Sequence, residues 1–372
     1  MSAVKEAWHR TGVSVGDVLR QLRILRAGAS GRPRSSVLDV IIIASDAAQA
    51  RAAAGAVEKL AAHHPCRAVV VLETPGPGAR GIDVTITEHG DPGPDGTASL
   101  HEQVVMRVRG PAADHIPSLV DALLVPDVAT FVWWTGSPPV GAARFLSALE
   151  PADVLLVDSA LFQRPYESFA ALAEIAGSLS TTVFGDFHWT RLGPWREVLA
   201  QFFNPPSRRG FLHGIGAVGI DYIADGRGNR CAASLLAGWL GSALGWRLRS
   251  AAAGRGGVMA AHFDAPGGHR VELALRPVAM DGFADGEITG LRIGAVWQGS
   301  SCRLHALRDE ADNGHVLVEG ELRGTPFPRL VLPVPPMADV AVLSRLLVDS
   351  RSDRAYPRAL RLGAELLRSA RS

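Results

Sequence analysis

The sequence predicts an α/β N-terminal domain with a mostly parallel sheet, followed by an α+β C-terminal domain with an antiparallel sheet. Three observations carry this. A buried strand, an alanine-rich helix and a second buried strand follow one another between Val37 and Leu72. Strand and helix patterns go on alternating as far as Asn204. After Pro206 the chain offers mainly short strands between Val258 and Val331, closed by two helices. A length of 372 residues suits about two domains, and the change of character places them at 1–206 and 207–372.

Val15 to Leu25 reads as a short amphipathic helix, followed by a flexible link over 27–31. Val37 to Ala44 is an apolar, largely β-branched run, as a buried strand requires. Ser45 suits the N-cap of a helix over Asp46 to His63. Arg67 to Leu72 is the next strand, so the three elements make a right-handed βαβ unit with parallel strands. Two loops rich in glycine and proline, within 74–81 and 90–96, flank the alternating strand Ile82 to Glu88, with Val104 to Val108 as its antiparallel neighbour. Helices over 116–124, 140–149 and 166–179 then alternate with strands at 128–134 and 153–159.

In the second half, Arg208 to Ile223 alternates like a strand and Ala232 to Leu248 reads as a helix. Five short strands are expected at 259–263, 271–275, 287–297, 301–307 and 316–322. Helices over 338–348 and 356–368 end the series.

Composition narrows the function. The net charge is +1, and all but Lys5 and Lys59 of the 38 basic residues are scattered arginines. No basic run of the nucleic-acid type occurs, so neither nucleic acid nor an acidic membrane is an expected partner. The longest apolar stretch, 232–246, is too short and glycine-interrupted to span a bilayer. Cys66, Cys231 and Cys302 are far apart and form neither a CxxC pair nor a metal-ligand spacing. Charged residues crowd the first twenty positions, where a signal peptide would be apolar. A cytoplasmic location is expected.

The usual catalytic motifs fail. Gly214-Ile-Gly-Ala-Val-Gly219 matches GxGxxG, but it lies in a strand-like region with no acidic residue about 20 positions on. The first βα turn, Ala44-Ser45-Asp46, lacks the glycines that let a backbone approach a pyrophosphate. No GxxxxGK[ST], GxSxG or HExxH occurs. Asp186 and His188 have the right types for an acid–base or metal pair, but no third ligand is evident. No catalytic residue, metal or cofactor is expected.

The densest signal is the block from Gly185 to Phe203. Pro194 suits the first turn of a helix, where its missing N–H costs nothing. Trp195, Val198, Leu199 and Phe202 then fall on one stripe, and Asn204-Pro205-Pro206 stops the helix. Upstream, Asp186, His188, Trp189, Thr190 and Arg191 form a polar-aromatic loop of about eight residues, within the usual range for connections. Tryptophan and arginine are the types enriched at interface hot spots. With Trp133 and Trp134 at the end of an earlier strand, this gives the expected partner-binding set: Trp133, Trp134, Asp186, His188, Trp189, Thr190, Arg191, Trp195 and Arg196. The competing reading buries both tryptophans of the block as core and leaves its arginines solvated.

The block Trp189-Thr-Arg-Leu-Gly-Pro-Trp-Arg196 resembles the OpcA family, glucose-6-phosphate dehydrogenase assembly proteins of cyanobacteria and actinobacteria. Further matches are His64-Pro-Cys-Arg67, Glu102-Gln-Val, Phe131-Val-Trp-Trp134 with Pro138-Pro139, Asp153 to Ser159 and, more weakly, Tyr356-Pro-Arg-Ala-Leu360. The resemblance implies a non-catalytic protein that binds glucose-6-phosphate dehydrogenase, promotes its assembly and activates it allosterically in the oxidative pentose phosphate pathway. Some cyanobacterial members are regulated through thioredoxin and cysteines; the three cysteines here match no such site. An alternative is a sensor or enzyme for a sugar phosphate or nucleotide, with a pocket at the strand ends near Trp134, Asp158 and His188, because tryptophans stack on sugars and arginines grip phosphate.

Overall fold

The protein is described by a computed structural model covering residues 3–28, 37–61, 64–74, 81–92, 98–225 and 228–370. Most of the expected link and of the two glycine- and proline-rich loops falls outside these residues, as does the expected helix end at His63.

Residue contacts gather into two compact units. The first comprises 1–158, 179–185 and 339–351; the second comprises 159–178, 186–338 and 352–372. This division does not coincide with a break near 206. The segment 186–206 belongs to the second unit, and the helix over 339–349 returns to the first.

The first unit is built on an eight-stranded sheet in the order β1-β4-β5-β3-β2-β6-β7-β8. Its strands are β1 (Ala3–Arg10), β2 (Leu38–Ala44), β3 (Cys66–Thr74), β4 (Gly81–Pro92), β5 (Ala98–Arg109), β6 (Ala129–Trp134), β7 (Val154–Val157) and β8 (Val183–Asp186). β2 pairs in parallel with β3 and β6, β3 with β5, and β6 with β7. β4 is antiparallel to β5 and to β1. The central strand β2 is buried throughout, as an apolar run without alternation demands. Its helices are α1 (Val15–Gly28), α2 (Ala47–Ala61), α3 (Ile116–Asp121), α4 (Ala143–Leu149) and, from late in the chain, α10 (Asp339–Asp349), which packs beside α2. The N-cap of α2 is Asp46: its Oδ1 accepts from the backbone N–H groups of Ala48 and Gln49 at 2.8 and 2.9 Å.

The second unit holds another eight-stranded sheet, in the order β10-β11-β12-β9-β13-β14-β15-β16. Its strands are β9 (Ile215–Ile223), β10 (Arg247–Ala253), β11 (Met259–Asp264), β12 (Arg270–Val278), β13 (Ile288–Trp297), β14 (Ser300–Arg308), β15 (His315–Leu322) and β16 (Thr325–Pro333). Every pair is antiparallel except β9 with β12. Its helices are α5 (Pro165–Ser178), α6 (Phe187–Arg191), α7 (Gly193–Phe203), α8 (Pro206–Arg209), α9 (Cys231–Leu244) and α11 (Ala355–Ser369).

α9 is apolar on nearly every side and is buried accordingly. It crosses α11 at glycines. A Cβ on Gly238 would run into the Ala359 carbonyl oxygen, and one on Gly363 into that of Ser234. The expected helix to Leu248 ends instead at Leu244, because Gly245 takes the left-handed conformation (φ 71°) that closes a helix. The following residues, Arg247–Ala253, form the edge strand β10. The other edge strand, β16, carries Pro326, Pro328 and Pro333, which only an edge tolerates. Among the described residues, no helix is long and apolar enough to cross a membrane.

Candidate functional site in the second unit

The Gly185–Phe203 block differs from its expected form in one respect. The stretch read as a loop is a helical turn, α6, set almost end to end with α7. Asp186 creates it as N-cap: its Oδ1 accepts from the His188 N–H at 2.9 Å. Helix α7 begins and ends as expected, with Pro194 in its first turn and Asn204 as C-cap.

Asp186 is fully buried and serves as a hub. The same Oδ1 accepts from the Ser159 N–H at 3.1 Å, and the Tyr356 hydroxyl donates to Oδ2 at 3.4 Å. Ser159 is tied further: its carbonyl accepts from Asn229 Nδ2 at 2.9 Å, and its hydroxyl lies 3.3 Å from His188 Nδ1. Serine, histidine and aspartate are thus together, but not as a relay. The Asp186 carboxylate oxygen that reaches His188 accepts from its main chain, not from its ring. Burial, reinforced by the Arg191 charge, pushes the His188 pKa down to about 3, so the ring is neutral at physiological pH. Burial also holds the Tyr356 hydroxyl well above its ordinary pKa, with the Asp186 charge adding to the effect.

Trp189 is 2% exposed and forms a second hub. Its indole N–H donates to Asp353 Oδ2 at 2.6 Å. The Arg196 guanidinium lies over its ring, 3.5 Å from the centroid, and also reaches the Trp189 carbonyl. The Tyr356 ring sits 5.8 Å away. Burial lowers the Arg196 pKa to about 10, against the pull of Asp353, and the side chain stays charged at neutral pH. Asp353 Oδ1 caps α11 through the N–H groups of Ala355 and Tyr356.

The expected partner-binding residues therefore separate by burial. Trp133 and Trp134 lie in the first unit, buried on β6, with Trp134 edge-on to Phe145. Asp186, His188, Trp189 and Trp195 are buried in the second unit. Only Thr190, Arg191 and Arg196 of the set keep partial exposure. Both tryptophans of the block are buried; Arg196 lies over the Trp189 ring and Arg191 over that of Phe187.

Beside the block lies a hollow of about 110 Å3, with His188, Arg191 and Trp195 on its walls together with Glu287, Arg308 and Val334. The Arg308 guanidinium stands over the Trp195 and Phe283 rings, 5.5 and 5.7 Å from their centroids. Burial raises the Glu287 pKa and lowers that of Arg308, and each charge partly offsets the shift of the other. Sequence reading missed Glu287, Arg308 and Asn229, which lie on or beside strands and loops far along the chain. Asp353 carried a usable signal, an aspartate just ahead of a helix start.

Two family models match the chain. One is described as the glucose-6-phosphate dehydrogenase subunit N-terminal domain and covers residues 57–174. The other is the C-terminal domain of the same subunit and covers 182–360. A Synechocystis protein is 29% identical over 255 residues, 67% of this chain and 52% of its own length. A Nostoc punctiforme protein is 26% identical over 251 residues, 66% of this chain and 53% of its own. Both are named OpcA and provisionally assigned to the OxPP cycle. The chain matches about half the length of these relatives. Among solved structures, an NAD-binding oxidoreductase from Klebsiella pneumoniae matches with a TM-score of 0.52 at 12% identity, covering 91% of this chain and 96% of that one. An oxidoreductase from Sinorhizobium meliloti matches with 0.51 at 12% identity, covering 91% and 97%. Such distant likeness speaks for the fold alone. The two family models, running between them from residue 57 to 360, show that the chain belongs to the OpcA family.

Proposed function

We propose that this chain is a non-catalytic partner of glucose-6-phosphate dehydrogenase that promotes the enzyme's assembly and activates it allosterically in the cytoplasm. The observation that carries this reading is the match of both family models, each named for a subunit of that dehydrogenase.

Two features of the chain support it. The Klebsiella neighbour binds NAD, and folds of this class seat a dinucleotide's pyrophosphate at the helix N-terminus after the first strand. Here the corresponding turn has no glycine, and the Asp46 carboxylate already occupies the N–H groups of α2. A second negative group would be repelled there. In the buried cluster, Asp186 Oδ1 likewise accepts from the main-chain N–H groups of Ser159 and His188, an arrangement suited to rigidity.

Activation requires that the chain bind the active form of the enzyme more tightly than the inactive one, since only differential affinity shifts a population. Arg191 and Arg196, over the Phe187 and Trp189 rings, and Thr190, whose hydroxyl donates to the Asp186 carbonyl, are suited to reading one geometry of a partner: less side-chain freedom remains to be lost on docking. The test is direct association. The chain mixed with glucose-6-phosphate dehydrogenase from the same organism should co-elute from a sizing column at a mass above either alone. Separate elution at micromolar concentrations of both would refute the reading.

A further inference from the structure

In the second unit's sheet, α9 lies against β9 and β12, and α11 against β10. These helices bury one face. On β11, Met259, Ala261 and Phe263 point to the buried side, while Ala260, His262 and Asp264 point the other way and are exposed. On β14, the buried Cys302, Leu304 and Ala306 alternate in the same manner with Ser301, Arg303, His305 and Leu307. The far face carries two adjoining hollows of about 720 and 410 Å3, which share Ala217, Gly294 and Arg303.

Side chains on that far face are graded in size. Ala252, Ala260, Ala274 and Gly219 stand side by side across β10, β11, β12 and β9. On the other half, Leu307, Leu317 and Val331 stand side by side across β14, β15 and β16, with Val331 56% exposed. Charges are largely neutralised within the face. Arg249 pairs with Asp264, Arg276 and Arg292 share Asp221, Arg303 pairs with Glu321, and Arg329 with Glu319. Prolines 326, 328 and 333 keep β16 from adding a strand at its edge, so this half of the sheet gains a neighbour only by stacking.

We infer that a second copy of this chain packs on this face, sheet against sheet, about a two-fold axis. An axis along the strands, between β9 and β13, lays β14–β16 of one copy over β12–β10 of the other. The leucine and valine half then fills the space above the alanine and glycine half, and does so twice, as a two-fold contact requires. Stacked sheets stand about 10 Å apart, a gap that alanine and glycine alone do not fill. Charges already paired in the plane leave little repulsion when face meets face. Eight strands about 4.8 Å apart and roughly 25 Å long present about 800 Å2, one partner's share of a standard interface.

Sedimentation of the full chain alone tests this, so its failure is separate from failure to bind the dehydrogenase. At micromolar concentration the chain should sediment at twice its own mass. Ala260→Glu on the small half and Val331→Glu on the large half should each weaken the dimer about tenfold or more, because the two-fold axis buries every added charge twice. Val348→Glu on α10, at a similarly exposed valine, should leave the mass unchanged. If one face variant loses its folded circular dichroism, the other decides. A parent chain that stays monomeric, a dimer unaffected by a folded face variant, or one dissociated as readily by Val348→Glu would overturn the inference. A monomer whose binding to the dehydrogenase is lost in Val331→Glu would overturn it too, and give the face to that enzyme.

Discussion

The indole N–H of Trp189 donates to the carboxylate of Asp353 at 2.6 Å, across 164 positions of sequence. This bond joins the Trp189–Arg196 block to the start of the Tyr356–Leu360 helix, two stretches that carry the family resemblance separately in the sequence. Asp353 caps α11 with its other oxygen. Its replacement by alanine removes both roles at once. The expected loss is about 2–3 kcal/mol, a hydrogen bond to a charged group plus a helix cap. Urea unfolding of Asp353→Ala checks it; a loss within error of zero would show the bond to be dispensable.

Arg196→Lys is not conservative at this site. Lysine keeps the charge but loses the planar stack on Trp189, and about 1 kcal/mol of stability should go with it. Comparison of the Lys and Met variants by thermal unfolding separates charge from packing: both should fall below the parent, with Met the lower.

His188 sets an acid limit on stability. Its folded pKa, about 3, lies below the ordinary value near 6.5. Between those values the unfolded chain binds a proton that the folded chain does not. Stability therefore rises with pH up to about 6.5 and is lost as pH falls below it, by at most about 1.4 kcal/mol per pH unit from this group. His188→Gln should flatten the pH profile between pH 4 and 6.5. An unchanged slope would assign the acid sensitivity to other groups.

The contact of α9 with α11 depends on a missing side chain. Gly238→Ala forces a Cβ onto the Ala359 carbonyl and should cost about 1–3 kcal/mol, despite alanine's better helix propensity. A stabilised variant, read by denaturation midpoint, would mean the helices separate easily.

The cysteines should be inert. All three are buried and free, and burial raises the Cys66 thiol to about 12 and pushes Cys302 upward as well. Thiolate, the reactive form, is suppressed. A thiol reagent at pH 8 should label none in the native chain and all three in denaturant; fast native labelling would reopen redox control.

Periodicity made most of the fold legible. The runs at 38–44 and 129–134 are apolar enough to be read as buried strands, and both are. The missed elements lack such a signature. β10 is Arg-Leu-Arg-Ser-Ala-Ala-Ala, whose pairing comes from its neighbour β11 and not from propensity. β16 is interrupted by prolines, and α6 is a single turn too short to show a period. The site was legible in part. The block could be located, but Trp189 and Trp195 could not be assigned to core from composition, because tryptophan suits both core and interface. Arg308 and Glu287 meet the block only through the folding of β13 and β14, which no local pattern records.

The most direct measurement is the rate of NADPH formation by glucose-6-phosphate dehydrogenase from the same organism, titrated with this chain. A saturable fall in apparent KM or rise in kcat is expected, weakened by Arg191→Ala in a protein that remains folded. A rate unchanged across the titration, with no enzyme co-eluting, would contradict it.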